Sequence, residues 1–208
     1  RMNESTRLYH VLPMYYMAGF LNSFLAPLFG GGTIILGQQF ISTSVFDFWD
    51  HCTKHNVNTL CLTPTIALAL CYAARNIKVA KRAAANLRAI HSTAGVLYSG
   101  NRLRFFQTFG KPLQDCYGMT ELGGPLTLQT PEDGIKVENC GDIMPELRLS
   151  FRTTSSGDRE MWIRSPNVMK GYISDHGIEL PLDDKGFMAT GDIAELASGK
   201  LKVTGRIK

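Results

Sequence analysis

The chain has 208 residues, 44% of them apolar, enough for one sizeable core or two small ones in a soluble globular protein. Basic residues number 22 against 18 acidic, a net charge of +4 scattered without a single-sign block, which gives no case for a nucleic-acid partner. The 5 cysteines (Cys52, Cys61, Cys71, Cys116, Cys140) are odd in number and lack Cys-x-x-Cys spacing, so they read as reduced thiols in a cytoplasmic protein, not as a disulfide frame or a zinc site.

Taken in order, Leu8-Tyr9-His10-Val11-Leu12 reads as a buried strand ended by Pro13. Gly19 releases a helix whose Phe20, Leu21, Phe24, Leu25 and Leu28 fall on one face. Residues 18–29 are the longest apolar run, but Asn22, Ser23 and Pro27 interrupt it, and it is too short for a transmembrane segment. No basic-then-apolar leader opens the chain. Gly30-Gly31-Gly32 ends the helix and Thr33–Leu36 is a strand. Ser44 and Asp47 form a plausible capping box, with Val45, Phe48, Trp49 and Cys52 on one face of the helix that follows. Asn56-Val57-Asn58 turns into the strand Thr59–Leu62, and Thr63-Pro64 starts a helix, proline suiting its first position. Lys81-Arg82 followed by Arg88 reads as a solvated helix face. Arg88–Ser92 is the next strand, Asn101–Phe109 the next helix, and Lys111-Pro112 leads into what reads as the central strand.

Strands alternating with helices predict an α/β fold over residues 1–129, a parallel sheet with flanking helices on both faces. Past Gln129 the pattern changes to short β-like pieces at 146–151, 160–164, 192–196 and 201–204, separated by Ser/Gly/Asp turns. Residues 130–208 are therefore expected to form a small, mostly antiparallel β subdomain.

Within this frame, Gln114-Asp115-Cys116-Tyr117-Gly118-Met119-Thr120-Glu121 carries the densest chemistry. A strand can end at Tyr117, and Gly118 lets the backbone turn where a side chain would obstruct a ligand. Ring, hydroxyl and carboxylate then follow within one turn, a set able to hold a flat base, a phosphate oxygen and a phosphate-bound Mg²⁺. Thr-Glu could equally cap a turn. Gly186-Phe187-Met188-Ala189-Thr190-Gly191-Asp192 offers a second carboxylate after a tight turn, and Ser92-Thr93-Ala94-Gly95-Val96-Leu97 is a small-residue strand exit. In open α/β sheets such exits converge on one crevice. His10, His51, His55, His91 and His176 form no ligand spacing.

The order and spacing of YGMTE (117–121), TGD (190–192) and GRIK (205–208), with GDREMWIRSPNVMKGY (157–172) between them, resemble the adenylate-forming (AMP-binding) superfamily of acyl-CoA synthetases, carrier-linked adenylation domains and luciferases. The resemblance runs over nearly the whole chain and corresponds to the second half of that family's large N-terminal domain, ending at its hinge. It implies an ATP-dependent acid–thiol ligase. The substrate carboxylate would attack the ATP α-phosphate to give acyl-AMP and pyrophosphate, and a thiol, CoA, would then take the acyl group.

The resemblance also implies roles. Tyr117 would stack on adenine, Asp115 would accept from its amino group, and Ala94, Gly95 and Val96 would line its edge. Thr120 and Glu121 would be the catalytic pair, the first bonding the α-phosphate and the second holding Mg²⁺. Asp192 would accept from both ribose hydroxyls, and Arg206 would donate to the sugar or a phosphate. The acid would lie against Tyr16, Met17, Thr93, Cys116, Gly118, Gly123 and Gly124, although an ordinary core role for Tyr16 and Met17 stays open. None of these positions carries a carboxylate for a substrate ammonium, and a buried unpaired charge would cost on the order of several kcal/mol. A fatty or aryl acid is therefore favoured over an amino acid. Lys208 would fall at the hinge.

The chain also departs from the family pattern. Tyr16 stands where a gating histidine is usual, Thr93-Ala94-Gly95-Val96 where Gly-Gly-Ala-Pro is usual, and Ala189 where a basic or bulky residue precedes Thr190. The family's phosphate loop and C-terminal lysine have no counterpart in these residues, so the chain alone is expected to be inactive. An exposed strand edge and helix face would favour self-association into a homo-oligomer. Two alternatives stay open: an adenylation unit loading a carrier protein, and a degenerate member acting as a binding scaffold.

Overall fold

Five short strands in the first part of the chain all pair in parallel in the computed structural model, which describes residues 2–73, 76–130, 133 and 139–207. β1 (Arg7–His10), β2 (Thr33–Leu36), β3 (Thr59–Leu62), β4 (Ala89–Ser92) and β5 (Gln114–Asp115) lie in the order β2-β1-β3-β4-β5. Leu62 pairs with Ser92 and Ser92 with Asp115, so the strand exits at Thr63, Thr93 and Cys116 share the carboxyl end of the sheet. β5 is two residues long and terminal in that order, so the strand expected at the centre is an edge strand and β3 holds the centre.

The pleat sends alternate residues to opposite faces. Tyr9, Val11, Leu60, Leu62 and Ile90 enter one core with side chains from α2 (Phe48–Lys54), α3 (Pro64–Tyr72), α4 (Ile77–Ala85) and α5 (Ser99–Phe109). Fully burying a side chain such as Phe48, Leu60 or Phe105 contributes about 1.5–3 kcal/mol. On the other face, Cys61 packs with Leu12 and Ala18 under the helix that follows β1.

That helix differs from expectation in its pitch and its face. Ala18–Leu25 is a π-helix running directly into α1 (Ala26–Phe29). Its buried residues are Ala18, Gly19, Ser23 and Pro27, while Phe20 and Leu28 are exposed. Close backbone approach explains the choice: a Cβ on Gly19 would stand 2.0 Å from the Pro13 carbonyl oxygen, so only glycine fits there against the segment that leaves β1. The Ser44–Asp47 capping box is also not formed. Ser44 Oγ instead accepts from the Ile41 amide at 3.1 Å in a short 3₁₀ turn, and α2 starts at Phe48 with no side-chain cap. Thr63 does cap α3, accepting from the Ile66 amide at 3.2 Å, with Pro64 in the first turn. Lys81 and Arg82 are exposed on α4, whereas Arg88 lies beyond it and bonds Ser5 Oγ at 2.8 Å.

The second unit is antiparallel throughout. β6 (Gly118–Met119) pairs with β7 (Gly124–Pro125), β8 (Thr127–Leu128) with β9 (Asp142–Ile143), and β12 (Tyr172–Ser174) with β13 (Gly177–Glu179). Its main sheet is β10 (Arg148–Thr153), β11 (Arg159–Arg164), β14 (Met188–Ala197) and β15 (Lys200–Arg206), in the order β10-β11-β14-β15. Met161 and Ile163 alternate inward with Met188, Ala194 and Leu201 to form the core. By contacts the chain divides into Arg1–Cys116 with Thr130–Glu138, and Tyr117–Gln129 with Asn139–Lys208. The composition change at Gln129 is thus not where the contacts divide, and the stretch from Tyr117 belongs with the β-rich unit. No helix among the described residues is long and apolar enough to cross a membrane.

Candidate active site

In the second unit, Tyr117 is followed at once by the hairpin of β6 and β7. A Cβ on Gly118 would lie 2.3 Å from the Gly124 carbonyl oxygen, so only glycine lets these strands close. Between them Thr120–Leu122 makes one 3₁₀ turn that exposes Thr120, half-buries Glu121 and anchors Leu122 in the core. Gly123 leaves the turn at φ +81, a conformation that suits glycine, with Asn167 Cβ 2.8 Å from where a Cβ would stand. The 157–172 segment buttresses this turn. The Met169 amide donates to the Glu121 carbonyl at 2.8 Å, and Tyr172 Oη donates to Glu121 Oε1 at 3.1 Å.

Tyr117 and Asp192, distant in sequence, meet in this unit: Tyr117 Oη donates to Asp192 Oδ2 at 2.6 Å. Burial first, and then the bonded Asp192 carboxylate, push the Tyr117 phenol far above its ordinary value, so it is a proton donor at any physiological pH. Arg206 Nε stands 3.8 Å from Asp192 Oδ1, opposite it across the β14–β15 ladder. Asp192 is 8% exposed, whereas the Arg206 side chain is 74% exposed, so water screens the pair and leaves the guanidinium accessible.

The first unit holds the other candidates. Thr93 is buried after β4, its amide bonded to the Leu62 carbonyl at 3.0 Å. Ala94 adopts φ +70, where a Cβ is strained, and Val96 is exposed. Cys116 is buried, Tyr16 is partly exposed, and Met17 is intermediate. Burial, with Cys61 nearby, raises the Tyr16 phenol. Asp115, expected to accept from adenine, is buried with both carboxylate oxygens engaged. Oδ2 takes Arg102 Nη2 at 3.0 Å and Oδ1 takes the Cys116 amide at 3.0 Å.

The family profile of AMP-binding enzymes matches residues 1–173. The chain belongs to this family. An oxalate–CoA ligase of Arabidopsis thaliana is 28% identical over all of this chain and 41% of its own length. MatB from Rhodopseudomonas palustris with ATP bound superposes at a TM-score of 0.82, with 21% identity, over 99% of this chain and 41% of MatB. A malonyl-CoA ligase in ternary complex with methylmalonyl-CoA and AMP gives a TM-score of 0.83 with 21% identity, over 98% of this chain and 45% of the ligase. These two structural likenesses establish the fold. The chain spans less than half the length of the curated relatives it matches over all of its own residues.

Of the expected site residues, the structure joins Tyr117, Asp192 and Arg206, sets Thr120 and Glu121 on the turn behind Tyr117, and gives Asp115 to Arg102. Lys208, read as the hinge, lies outside the described residues. Two side chains without a role in the sequence reading emerge as supports. Arg102 is buried on the same face of α5 as Phe105 and Phe109, and a cation at helical spacing from two aromatics was the available signal. Tyr172 lies inside the quoted 157–172 stretch, but its contact with Glu121 spans 51 residues and has no local signature. Among the histidines, burial lowers His91 to about 4, and His10 Nε2 faces Met14 Sδ at 2.8 Å. Among the described residues no group of three or more His, Cys, Asp or Glu could hold a metal ion.

Proposed function

We propose that the full-length protein is an acid–thiol ligase that activates a carboxylic acid as acyl-AMP with ATP and passes the acyl group to CoA. The observation that carries this reading is the Tyr117–Asp192–Arg206 cluster in a member of the AMP-binding family. Its ring supplies a face for the base, and its carboxylate supplies acceptors for a diol. With Oδ2 taken by Tyr117, Asp192 keeps lone pairs on both oxygens, enough to accept from two ribose hydroxyls. Arg206 adds an exposed donor for sugar or phosphate.

Thr120, exposed at the start of its turn, is assigned as donor to an α-phosphate oxygen, a reading its exposure supports. A lone carboxylate fits Mg²⁺, which takes one or two carboxylates and completes its shell with phosphate and water. Glu121 is that carboxylate, its orientation fixed by Tyr172. When bound, Mg²⁺ offsets phosphate charge. The reaction needs no protein nucleophile: two anions must be aligned and their charge compensated, so positioning and electrostatics dominate. Ala94, Gly95 and Val96 are assigned to the adenine edge. Tyr16, Met17, Thr93 and Cys116, and separately Gly118, Gly123 and Gly124, keep the assignment to the acid that the family resemblance implies.

Those positions lack a carboxylate for an ammonium group, so the acid is one without an α-amino group, of fatty or aryl type. The relative from Arabidopsis thaliana named above is a CoA ligase, which favours CoA over a carrier protein as acceptor. The test is ATP–pyrophosphate exchange by the full-length protein across a panel of fatty, aryl, dicarboxylic and amino acids. Exchange with acids lacking an amino group, followed by CoA thioester formation, is expected. Exchange with amino acids alone would overturn the reading.

A further inference from the structure

β11 and β14 pair on both sides of the Thr190-Gly191-Asp192 turn but not through it. Glu160 faces Ile193 and Trp162 faces Ala189, so Met161 alone on β11 lies opposite those three residues. Such a bulge takes backbone groups out of the ladder, and each then needs another partner. Thr190 Oγ donates to the Met161 carbonyl at 2.7 Å and accepts the Asp192 amide at 3.1 Å. The Gly191 carbonyl accepts from the Ile207 amide at 2.8 Å. The Gly191 amide donates to a side chain, Glu160 Oε1, at 3.1 Å.

Glu160 is itself held. Its Oε2 accepts the Trp162 indole N–H at 2.8 Å, and the Arg152 guanidinium lies 3.7 Å over the Trp162 ring. Arg152 in turn pairs with Asp183, whose Oδ1 accepts the amides of Lys185 and Phe187. A chain of contacts thus runs from the 183–187 turn to the backbone beside Asp192. Gly191 sits at φ +70, and that left-handed turn sets the direction in which the next side chain leaves the strand.

We propose that Glu160 is a positioning residue for nucleotide recognition: by accepting the Gly191 amide it fixes the bulge that aims the Asp192 carboxylate at the ribose. It acts through Gly191 and needs no contact with substrate. The proposal rests on the reading of Asp192 as ribose ligand, and the test separates the two.

In the full-length protein, ATP and 2′-deoxy-ATP are titrated by calorimetry into the unsubstituted enzyme, Glu160→Ala, Glu160→Gln and Asp192→Ala, with thermal unfolding of each alongside. The unsubstituted enzyme should prefer ATP, and Asp192→Ala should erase the preference. Glu160→Ala should cut it by about 3–10-fold, the scale of one hydrogen bond. Glu160→Gln keeps an acceptor for the Gly191 amide and should retain most of the preference. If Glu160→Ala does not fold, Glu160→Met, similar in length but without an oxygen acceptor, carries the same expectation. Equal weakening of both nucleotides would make Glu160 merely structural and overturn the proposal, as would an unchanged preference or an equal loss in the Gln variant. If the unsubstituted enzyme shows no preference, or Asp192→Ala keeps it, the ribose reading falls and the proposal with it, an outcome reached without any Glu160 variant.

Discussion

Two buried aspartates, one in each unit, sit where strand pairing stops or is interrupted, yet their surroundings differ. Asp115 at the end of β5 is paired with Arg102, itself 2% exposed, and its second oxygen closes on the next amide. Asp192 in the β14 bulge receives a neutral phenol and faces a cation that is largely in water. A buried carboxylate matched to a buried guanidinium has its charge already compensated within the core. One matched to a hydroxyl and a screened charge keeps acceptor capacity for a ligand. What separates the two carboxylates here is the burial of their partners, and Asp192 is the one proposed to bind.

The difference is sharpest in stability. Arg102→Met removes the buried cation and leaves the Asp115 charge uncompensated, a change expected to cost about 3–5 kcal/mol. Adding Asp115→Leu should recover most of the loss, because replacing both members of a buried pair is commonly near neutral. Denaturant unfolding of the full-length variants measures both. A loss below about 1 kcal/mol for the single variant would show that Asp115 does not depend on Arg102.

Asp192 should behave the opposite way. Asp192→Ala is expected to weaken ATP binding by about 1.5–3 kcal/mol, the range for hydrogen bonds to a charged group. Its unfolding midpoint should move far less than that of Arg102→Met. Calorimetric titration alongside the unfolding curves checks both halves, and a large stability loss with intact ATP affinity would place Asp192 with Asp115.

The sequence carried much of this, though unevenly. Alternation of strands and helices announced the parallel sheet, because β-branched runs such as Thr33–Leu36 and signals such as Thr63-Pro64 are local. The π-pitch of Ala18–Leu25 was not legible. Helical spacing scored Phe20 and Leu28 as the packing face, while the small residues won burial through close backbone contact at Gly19. Strand order was equally hidden: nothing near Gln114-Asp115 says that it lies at an edge. In the site, Tyr117 and Asp192 were each found through their motifs, but the 2.6 Å bond between them is a product of tertiary pairing. The buried partner of Asp115 went unseen because the spacing of Arg102 to Phe105 and Phe109 marks its helix face but not the carboxylate it meets there.

Smaller effects probe the hydroxyl. Tyr117→Phe keeps the ring face and deletes the donor to Asp192, so ATP binding should change by about 0.5–1.5 kcal/mol, the net value of one hydrogen bond. Tyr117→Ala loses the aromatic surface as well and should cost about 1 kcal/mol or more. Equal affinities for the two variants would mean that the ring does not stack, leaving the phenol's contact with Asp192 as the whole contribution of Tyr117.

The smallest effect on stability is expected at Arg206. Its pair with Asp192 spans 3.8 Å with the cation 74% exposed, so Arg206→Gln should change folding stability by no more than about 0.5 kcal/mol. The same exposure makes Arg206 available to a ligand, and neutralising it should weaken ATP binding. That weakening should shrink as salt rises from 50 mM to about 500 mM, because a screened surface cation loses its reach as the Debye length falls. Titrations of both proteins at the two salt concentrations measure it. If Arg206→Gln instead lowered stability as Arg102→Met is expected to, Asp192 would need its cation as Asp115 needs Arg102. The distinction drawn from partner burial would then fail.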